Sequence, residues 1–232
     1  MTRLTHFKLC PLSRSIRLLL GELEIEVELA DELPWDWRPA FLALNPSGAL
    51  PVLEFGDGPV VAGAYAISEY LGEVARRAPP DERVADPFPG SDEDRSEVRR
   101  LVDWFHNKLA AEASRELLRE KIEGRFRPEI AHQQPDSELL RAVRANLRYH
   151  LSYVSFLADQ RRWLAGDEMS FADMAAAGHL SCLDYLDEVP WDEFPSARNW
   201  YVRLKSRPSF QPLLADRLPG IPPPLHYDNL DF

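Results

Sequence analysis

The chain has 232 residues, 45% of them hydrophobic, which is enough to bury one good core or two smaller ones. Its formal net charge of -11 argues against a nucleic-acid partner, because a phosphate-binding surface needs an excess of basic side chains. No apolar run approaches the roughly 18 residues that span a bilayer, and the first residues lack the apolar core of a signal peptide, so we expect no membrane insertion. Only Cys10 and Cys182 are present, which predicts a reducing cytoplasm and no disulfide framework.

Strand and helix patterns alternate over residues 1–78 and predict an α/β domain. The predicted segments are a strand at 4–7, a helix carrying Ile16, Leu19, Leu20 and Leu23, a half-buried strand at Ile25, Val27 and Leu29, a loop at Pro34–Pro39, two strands on either side of Gly56–Gly58, and a helix that ends near Arg77.

A proline-rich, charged segment at 79–91 follows and is the predicted linker. Residues 92–218 show helical periodicity almost throughout, which predicts an all-α domain. Ser170 to Asp173 has the spacing of a capping box, and the nearly all-apolar run from Met174 to Leu186 predicts the central helix of that domain. Residues 219–232 form a predicted extended tail, because consecutive prolines favour a polyproline conformation.

The segment Asn45–Leu53 resembles the N-terminal thioredoxin-like domain of the glutathione transferase superfamily. The resemblance covers nearly all of the chain from Leu4 to Leu218, and it implies a thioredoxin-like domain followed by an all-α domain. In that family the proline that matches Pro51 is cis, and the backbone beside it, here at Leu50, faces glutathione. The fold expected for this chain is therefore the glutathione transferase fold.

The part of the motif that holds glutathione departs from the family pattern. Members of the family have Glu-Ser where this chain has Gly63 and Ala64. Charge-assisted hydrogen bonds are worth roughly 1.5–3 kcal/mol each, so the loss of both would weaken binding ~100-fold or more. We therefore interpret Leu50, Pro51, Gly63 and Ala64 as a vestigial glutathione site, and we expect no cofactor.

Cys10 and Ser13 fall where the family carries its activating side chain, between a strand and a helix. A thiolate at the start of a helix would be stabilised by free N–H groups and the helix dipole, which lower a cysteine pKa. Two functions therefore stay open. One is a glutathione-dependent transferase or thiol transferase that uses Cys10 or Ser13. The other is a binding protein without catalytic residues, in which these are small packing residues.

Three further segments resemble a group of glutathione-transferase-like proteins of bacterial cell division. They are Cys10–Arg17, His179–Leu186 and Asn229–Phe232. This resemblance implies a homodimer that binds filaments of the tubulin-like protein FtsZ, alters their curvature or bundling and supports constriction. It also implies a cytoplasmic location at the division site.

Three groups of side chains are candidates for binding that partner, and each has a structural alternative. The tryptophans of the 34–39 loop could instead pack on their own domain, the arginines of the long helix could belong to a solvated charged face, and the tail could fold back onto the helical domain. The six histidines show no metal-ligand spacing, so no metal site is expected. The predicted partner-binding residues are Trp35, Trp37, Arg38, Arg115, Arg119, His226, Tyr227, Asp228, Leu230 and Phe232.

Overall fold

A computed structural model describes residues 1–79, 84–127 and 137–230. The N-terminal part contains a four-stranded mixed sheet with the order β2-β1-β3-β4. Strands β1 and β2 are parallel, whereas β1 pairs with β3, and β3 with β4, in antiparallel fashion. The strands are β1 (Thr2–His6), β2 (Glu28–Asp31), β3 (Val52–Phe55) and β4 (Val60–Ala62).

Three helices complete this part: α1 (Pro11–Glu22), α2 (Pro39–Leu44) and α3 (Ala64–Arg77). The predicted thioredoxin-like unit is confirmed, with two local corrections. Strand β2 begins at Glu28, later than the alternation at 25–29 predicted, and the chain turns before it at Glu24, where φ is 54°. The expected loop at 34–39 contains a short 3₁₀ turn, Pro34–Asp36, and its last proline is the first residue of α2.

Most of the described residues from Asp92 to Leu214 are helical, as predicted. A long helix begins with α4 (Asp92–Asp103) and continues through alternating π- and α-helical segments to Phe126. The segments of this helix and the later helices are the π-helical Trp104–Ser114, α5 (Arg115–Leu118), the π-helical Arg119–Glu123, α6 (Gly124–Phe126), α7 (Ser137–Gln160), α8 (Phe171–Tyr185), α9 (Pro195–Lys205) and α10 (Gln211–Leu214).

Helix α8 is the centre of the helical domain, and every one of its residues is buried. Its first turn carries the predicted capping box, in which Asp173 accepts hydrogen bonds from the backbone and hydroxyl of Ser170. Further along, Gly178 lies against the first turn of α1, and a Cβ added there would be 2.5 Å from the Pro11 carbonyl oxygen. The absence of a side chain therefore lets the two domains approach to backbone contact.

The segment between the domains is fixed where the structure describes it. Phe88 is 1% exposed, its ring lies 6.2 Å from that of Phe171, and the Arg99 guanidinium lies 4.7 Å above it. Division of the chain at residues 78, 91 and 218 stays a prediction. No helix within the described ranges is both long and apolar enough to cross a membrane.

The C-terminal tail is less extended than its prolines predicted. A turn at Pro219–Gly220 is closed by pairing between Leu218 and Ile221, and a 3₁₀ turn occupies Leu225–Asp228. The proline run between these turns, Pro222–Pro224, has neither helical nor strand structure. The tail is a folded element because each of its turns is closed by local hydrogen bonds.

Replacement of Asp173 by alanine should destabilise the helical domain strongly. Its buried carboxylate also accepts hydrogen bonds from the Leu164 amide at 2.9 Å and the Trp200 indole N–H at 2.8 Å. Loss of the cap together with these acceptors should cost about 3 kcal/mol or more in a urea unfolding experiment. The matched control is Asp94→Ala, which removes the equivalent cap from the exposed start of α4. A control variant as unstable as Asp173→Ala would contradict this account.

Candidate functional site: the cis-proline edge, the interdomain cavity and the tail

The edge of the thioredoxin-like domain that corresponds to the family's glutathione site has the expected backbone geometry. The Leu50–Pro51 peptide bond is cis, and the Gly63 amide donates a hydrogen bond of 2.9 Å to the Pro51 carbonyl oxygen. Leu50 and Ala64 are both buried, at 5% and 4% exposure. The four residues of the predicted vestigial site are therefore adjacent, and helix α3 begins beside the cis proline.

The side chains required for glutathione are missing from this edge. Gly63 caps α3 with φ at 89° and has no side chain, and a Cβ added there would meet nothing within 4 Å. The space that a carboxylate would fill is thus open, but an L residue would be strained at this φ. Ala64 offers no hydroxyl. The residues present do not fit the charged γ-glutamyl group.

Cys10 caps α1, and its Sγ accepts a hydrogen bond from the Ser13 amide at 3.5 Å. Burial raises the pKa of the Cys10 thiol above its ordinary value, and the hydrogen bonds from Ser13 only partly oppose this effect. Desolvation thus opposes the stabilisation that the helix N-terminus would give to a thiolate, and a chemical role for Cys10 or Ser13 stays a prediction. Ser13 itself is completely buried and does not present its hydroxyl at the surface.

A cavity of about 220 Å³ lies between the two domains, with Cys10 in its wall. The thioredoxin-like domain contributes mainly apolar side chains, and the long helix and α8 contribute the opposite wall. The residues lining it include Phe7, Leu12, Trp35, His106, Ser114, Arg115, Leu118 and His179.

Within the described ranges, three polar atoms of the residues lining this cavity are buried without a hydrogen-bond partner: Trp35 Nε1, His106 Nε2 and His179 Nε2. The other ring nitrogen of His179 lies 2.6 Å from the Ser114 hydroxyl. Burial lowers the pKa of His106 to about 4 and that of His179 well below its ordinary value, so both rings are neutral at physiological pH. The cavity can hold a small, largely apolar molecule that forms hydrogen bonds, and the charged side chains among its described lining residues, Arg115 and Glu123, are not fully buried.

The two tryptophans of the 34–39 loop occupy different environments. Trp37 is 61% exposed, has φ of 49°, and lays its ring against Gly48 of the loop that leads to the cis proline. Next to it, the exposed Arg38 forms a bidentate ion pair with the buried carboxylate of Glu32. Trp37 and Arg38 thus form an ordered surface beside the cis-proline edge.

Trp35 points into the molecule instead. Its ring centroid lies 5.3 Å from that of Phe7 and 5.6 Å from that of Phe126, across the domain interface. Trp35 therefore packs inside the molecule, as the structural alternative for this loop predicted, whereas Trp37 lies at the surface.

The arginines of the long helix are part of a charged face. Arg119 pairs with Glu116 at 2.8 Å and with Glu120 at 3.3 Å, and Arg115 is exposed at the cavity rim. Exposed pairs at this spacing typify a solvated helix face. A role for these arginines in partner binding stays a prediction.

The tail lies on the helical domain, and this placement separates its predicted contact residues. Tyr227 is completely buried, so a partner could reach its ring only if the tail left its seat. His226 and Leu230 are half-buried, and Asp228 is exposed and pairs with Arg217 at 2.6 Å. Phe232 lies outside the described residues. Whether the tail contacts a partner stays a prediction.

Sequence reasoning missed Arg14, the buried residue that holds the tail through hydrogen bonds. Arg14 is 0% exposed, and it donates hydrogen bonds to the Tyr227 hydroxyl at 3.0 Å and to Asp216 at 3.2 Å. Arg17 donates two further hydrogen bonds to the same carboxylate, at 2.6 and 3.1 Å. Two arginines one turn apart on the apolar helix α1 were the available signal, because a buried charge requires a partner. Among the described residues no three metal-ligating side chains are grouped as a metal site requires.

Family models match both parts of the chain. Residues 9–74 match the N-terminal domain of glutathione S-transferase, and residues 122–208 match its C-terminal domain.

Several relatives are similar over the whole chain. The chain is 44% identical to FtsZ-localized protein A of Caulobacter vibrioides, over 99% of this chain and 97% of that protein. The solved structure of FzlA from C. crescentus has a TM-score of 0.92 at 43% identity, covering 100% of this chain and 99% of that one. A structure called glutathione S-transferase, from Sinorhizobium meliloti 1021, has a TM-score of 0.93 at 45% identity over 100% of both chains.

We expect Cys10 to react slowly with iodoacetamide, because a raised thiol pKa leaves little thiolate at pH 8. Mass spectrometry should show a rate below that of a cysteine in an unstructured peptide, whose pKa is near 8.5. Cys182 should stay unlabelled, since it is fully buried and burial raises its pKa to about 12. The Cys10→Ala variant is the control and should lose the label. A native rate faster than that of the peptide would restore the activated-thiol interpretation.

Proposed function

This chain belongs to the glutathione S-transferase family, and from that premise we propose that it is a non-enzymatic cell-division protein that binds FtsZ filaments as a homodimer. In this role it acts in the cytoplasm at the division site, alters the curvature or bundling of the filaments and supports constriction.

The observation that carries the proposal is the similarity to a protein named for its localisation with FtsZ, which extends over 99% of this chain. A division-related role follows from that similarity more directly than from the fold, because one fold hosts many functions. A relative of nearly the same identity is called a glutathione S-transferase. The choice between a binding protein and an enzyme therefore rests on the side chains of the site.

The cis-proline edge supports the non-enzymatic alternative. A transferase must bind the charged ends of glutathione and stabilise its thiolate, and the start of α3 carries only Gly63 and Ala64 for the first task. For the second task, the thiol of Cys10 has a raised pKa, and Ser13 is buried. The cis-proline backbone that would bind a peptide is present, but the side chains that would bind the charged ends of glutathione and stabilise its thiolate are not.

The surface supports a protein partner. Trp37 and Arg38 are residue types enriched at binding hot spots, and the ion pair with Glu32 fixes the orientation of Arg38. In a homodimer each such surface occurs twice. Two weak sites acting on neighbouring subunits of a filament gain avidity without any new contact, which suits a protein that changes the shape of a polymer.

Co-sedimentation with polymerised FtsZ tests the proposal. The chain should pellet with GTP-dependent polymer and stay in the supernatant without it, and light scattering at tens of micromolar should give the mass of a dimer. Isothermal calorimetry on the same sample should give no measurable heat with glutathione. Absence from the pellet, together with a micromolar dissociation constant for glutathione that is lost in Cys10→Ala or Ser13→Ala, would establish the transferase alternative instead.

Trp37 and Trp35 form a matched pair for mutation. Trp37→Ala should weaken co-sedimentation about tenfold or more and change unfolding stability by less than about 1 kcal/mol, because its ring is largely exposed. Trp35→Ala should lower stability by about 2 kcal/mol, since its ring packs between Phe7 and Phe126. Urea unfolding and co-sedimentation measure the two effects separately. If Trp37→Ala unfolds as easily as Trp35→Ala, the exposed ring is structural and not a contact.

A further inference from the structure

The carboxylate of Glu32 is buried at the base of the loop that carries Trp37 and Arg38. Its side chain is 2% exposed, whereas that of Arg38 is 57% exposed. Arg38 donates to this carboxylate from both Nε, at 3.0 Å, and Nη2, and no other described side chain binds it. A buried charge without a partner is strongly unfavourable, so Glu32 holds the guanidinium in one place.

The backbone at both ends of this ion pair is fixed as well. The Glu32 amide donates to the His6 carbonyl oxygen at 2.8 Å, directly after the paired residues of β1 and β2. The Arg38 carbonyl oxygen accepts from the Leu42 amide at 3.0 Å, in the first turn of α2. The loop between Glu32 and Arg38 is therefore attached to the sheet at one end and to a helix at the other, and the ion pair joins these two ends.

Arg38 keeps hydrogen-bond donors that the ion pair does not use. A guanidinium group has five N–H donors in a fixed planar arrangement, and Glu32 takes one from Nε and one from Nη2. Within the described ranges, Nη1 makes no hydrogen bond to the protein. The neighbouring Trp37 is 61% exposed. A hydrogen-bond acceptor on a partner would thus meet donors whose direction is already set, and little conformational entropy would be lost on binding.

The charge of Arg38 is already balanced. Glu32 neutralises it at contact distance, and the whole chain carries a formal net charge of -11. This surface therefore has no excess positive charge that would attract a carboxylate from a distance. Its remaining N–H donors can still bind a neutral acceptor, and a backbone carbonyl oxygen is the most common one on a protein.

We infer that Glu32 is a positioning residue for partner binding, which holds Arg38 so that Nη1 donates to a carbonyl oxygen of the partner beside the ring of Trp37. This role rests on the proposed function, which makes the partner the FtsZ filament. Arg38 then acts through the direction of its hydrogen bonds and not through its net charge.

Co-sedimentation of the Glu32→Gln variant with polymerised FtsZ distinguishes direction from charge. The substitution leaves Arg38 charged but removes the carboxylate that orients it. Binding should therefore weaken about tenfold, the factor that corresponds to one hydrogen bond. If Arg38 acted as a simple cation, the same substitution would release its charge and strengthen binding at low salt. Stronger binding by Glu32→Gln would overturn the positioning role.

Glu22→Gln is the matched control. Glu22 forms an equivalent bidentate ion pair with Arg207, and its side chain is 8% exposed. This control should lower the melting temperature about as much as Glu32→Gln does and should bind polymer as the wild type. An equal loss of binding in both variants would show that Glu32 supports only the fold.

Two variants of Arg38 give a readout that a purely structural role would not change. Arg38→Lys keeps the charge but loses the planar fork, so it should bind polymer as weakly as Arg38→Ala. Adding Glu32→Gln to Arg38→Ala should cost no further binding and should raise the melting temperature, because it removes an unpaired buried carboxylate. Wild-type binding by Arg38→Lys, or a further loss of binding in the double variant, would contradict the positioning role.

Failure of this role can be distinguished from failure of the proposed function. If the wild-type chain does not pellet with polymer, the proposed function fails and the positioning role fails with it. If the wild type pellets and Glu32→Gln pellets equally well, the positioning role alone is wrong. Selective loss of binding in Glu32→Gln and Arg38→Lys, with Glu22→Gln unaffected, supports it.

Discussion

The guanidinium of Arg14 is completely buried, and its hydrogen bonds join parts of the chain that are far apart in sequence. It donates to the Lys8 carbonyl at 2.7 Å, to the Tyr227 hydroxyl and to the Asp216 carboxylate, which also binds Arg17. Removing one partner from such a cluster leaves a buried charge uncompensated and is strongly destabilising. The connection between β1 and α1, the residues after α10 and the tail therefore depend on one another, although they lie far apart in sequence.

This arrangement also determines the surroundings of Cys10 and Ser13. The same first turn of α1 that carries Arg14 carries Cys10 and Ser13, and it is packed tightly against α8. Burial there disfavours a thiolate, whereas a transferase needs one. At the cis-proline edge, by contrast, Leu50 and Ala64 are buried, whereas the space beside Gly63 is open. The packing of the core therefore does not depend on a side chain at residue 63.

The fold was predictable because its signals are local. The proline motif at 45–53 and the Ser170–Asp173 cap each act over a few residues, and the structure contains both. Helix α2 was missed because its six residues are too few to show periodicity after a proline. The position of Tyr227 and the pairing of Arg14 with Asp216 could not be predicted, since the residues that meet are about 200 positions apart. The pKa of Cys10 depends on desolvation by the whole fold, whereas the sequence shows only the start of the helix.

Gly178 has a consequence for how this protein could act on a filament. At Gly178 the backbones of α8 and α1 are in contact, and this close packing resists sliding of one domain past the other. A rigid subunit cannot bend a polymer by flexing. Any curvature that it imposes must be set by the angle at which two copies are joined, so the geometry of the dimer would act as a fixed template for the filament.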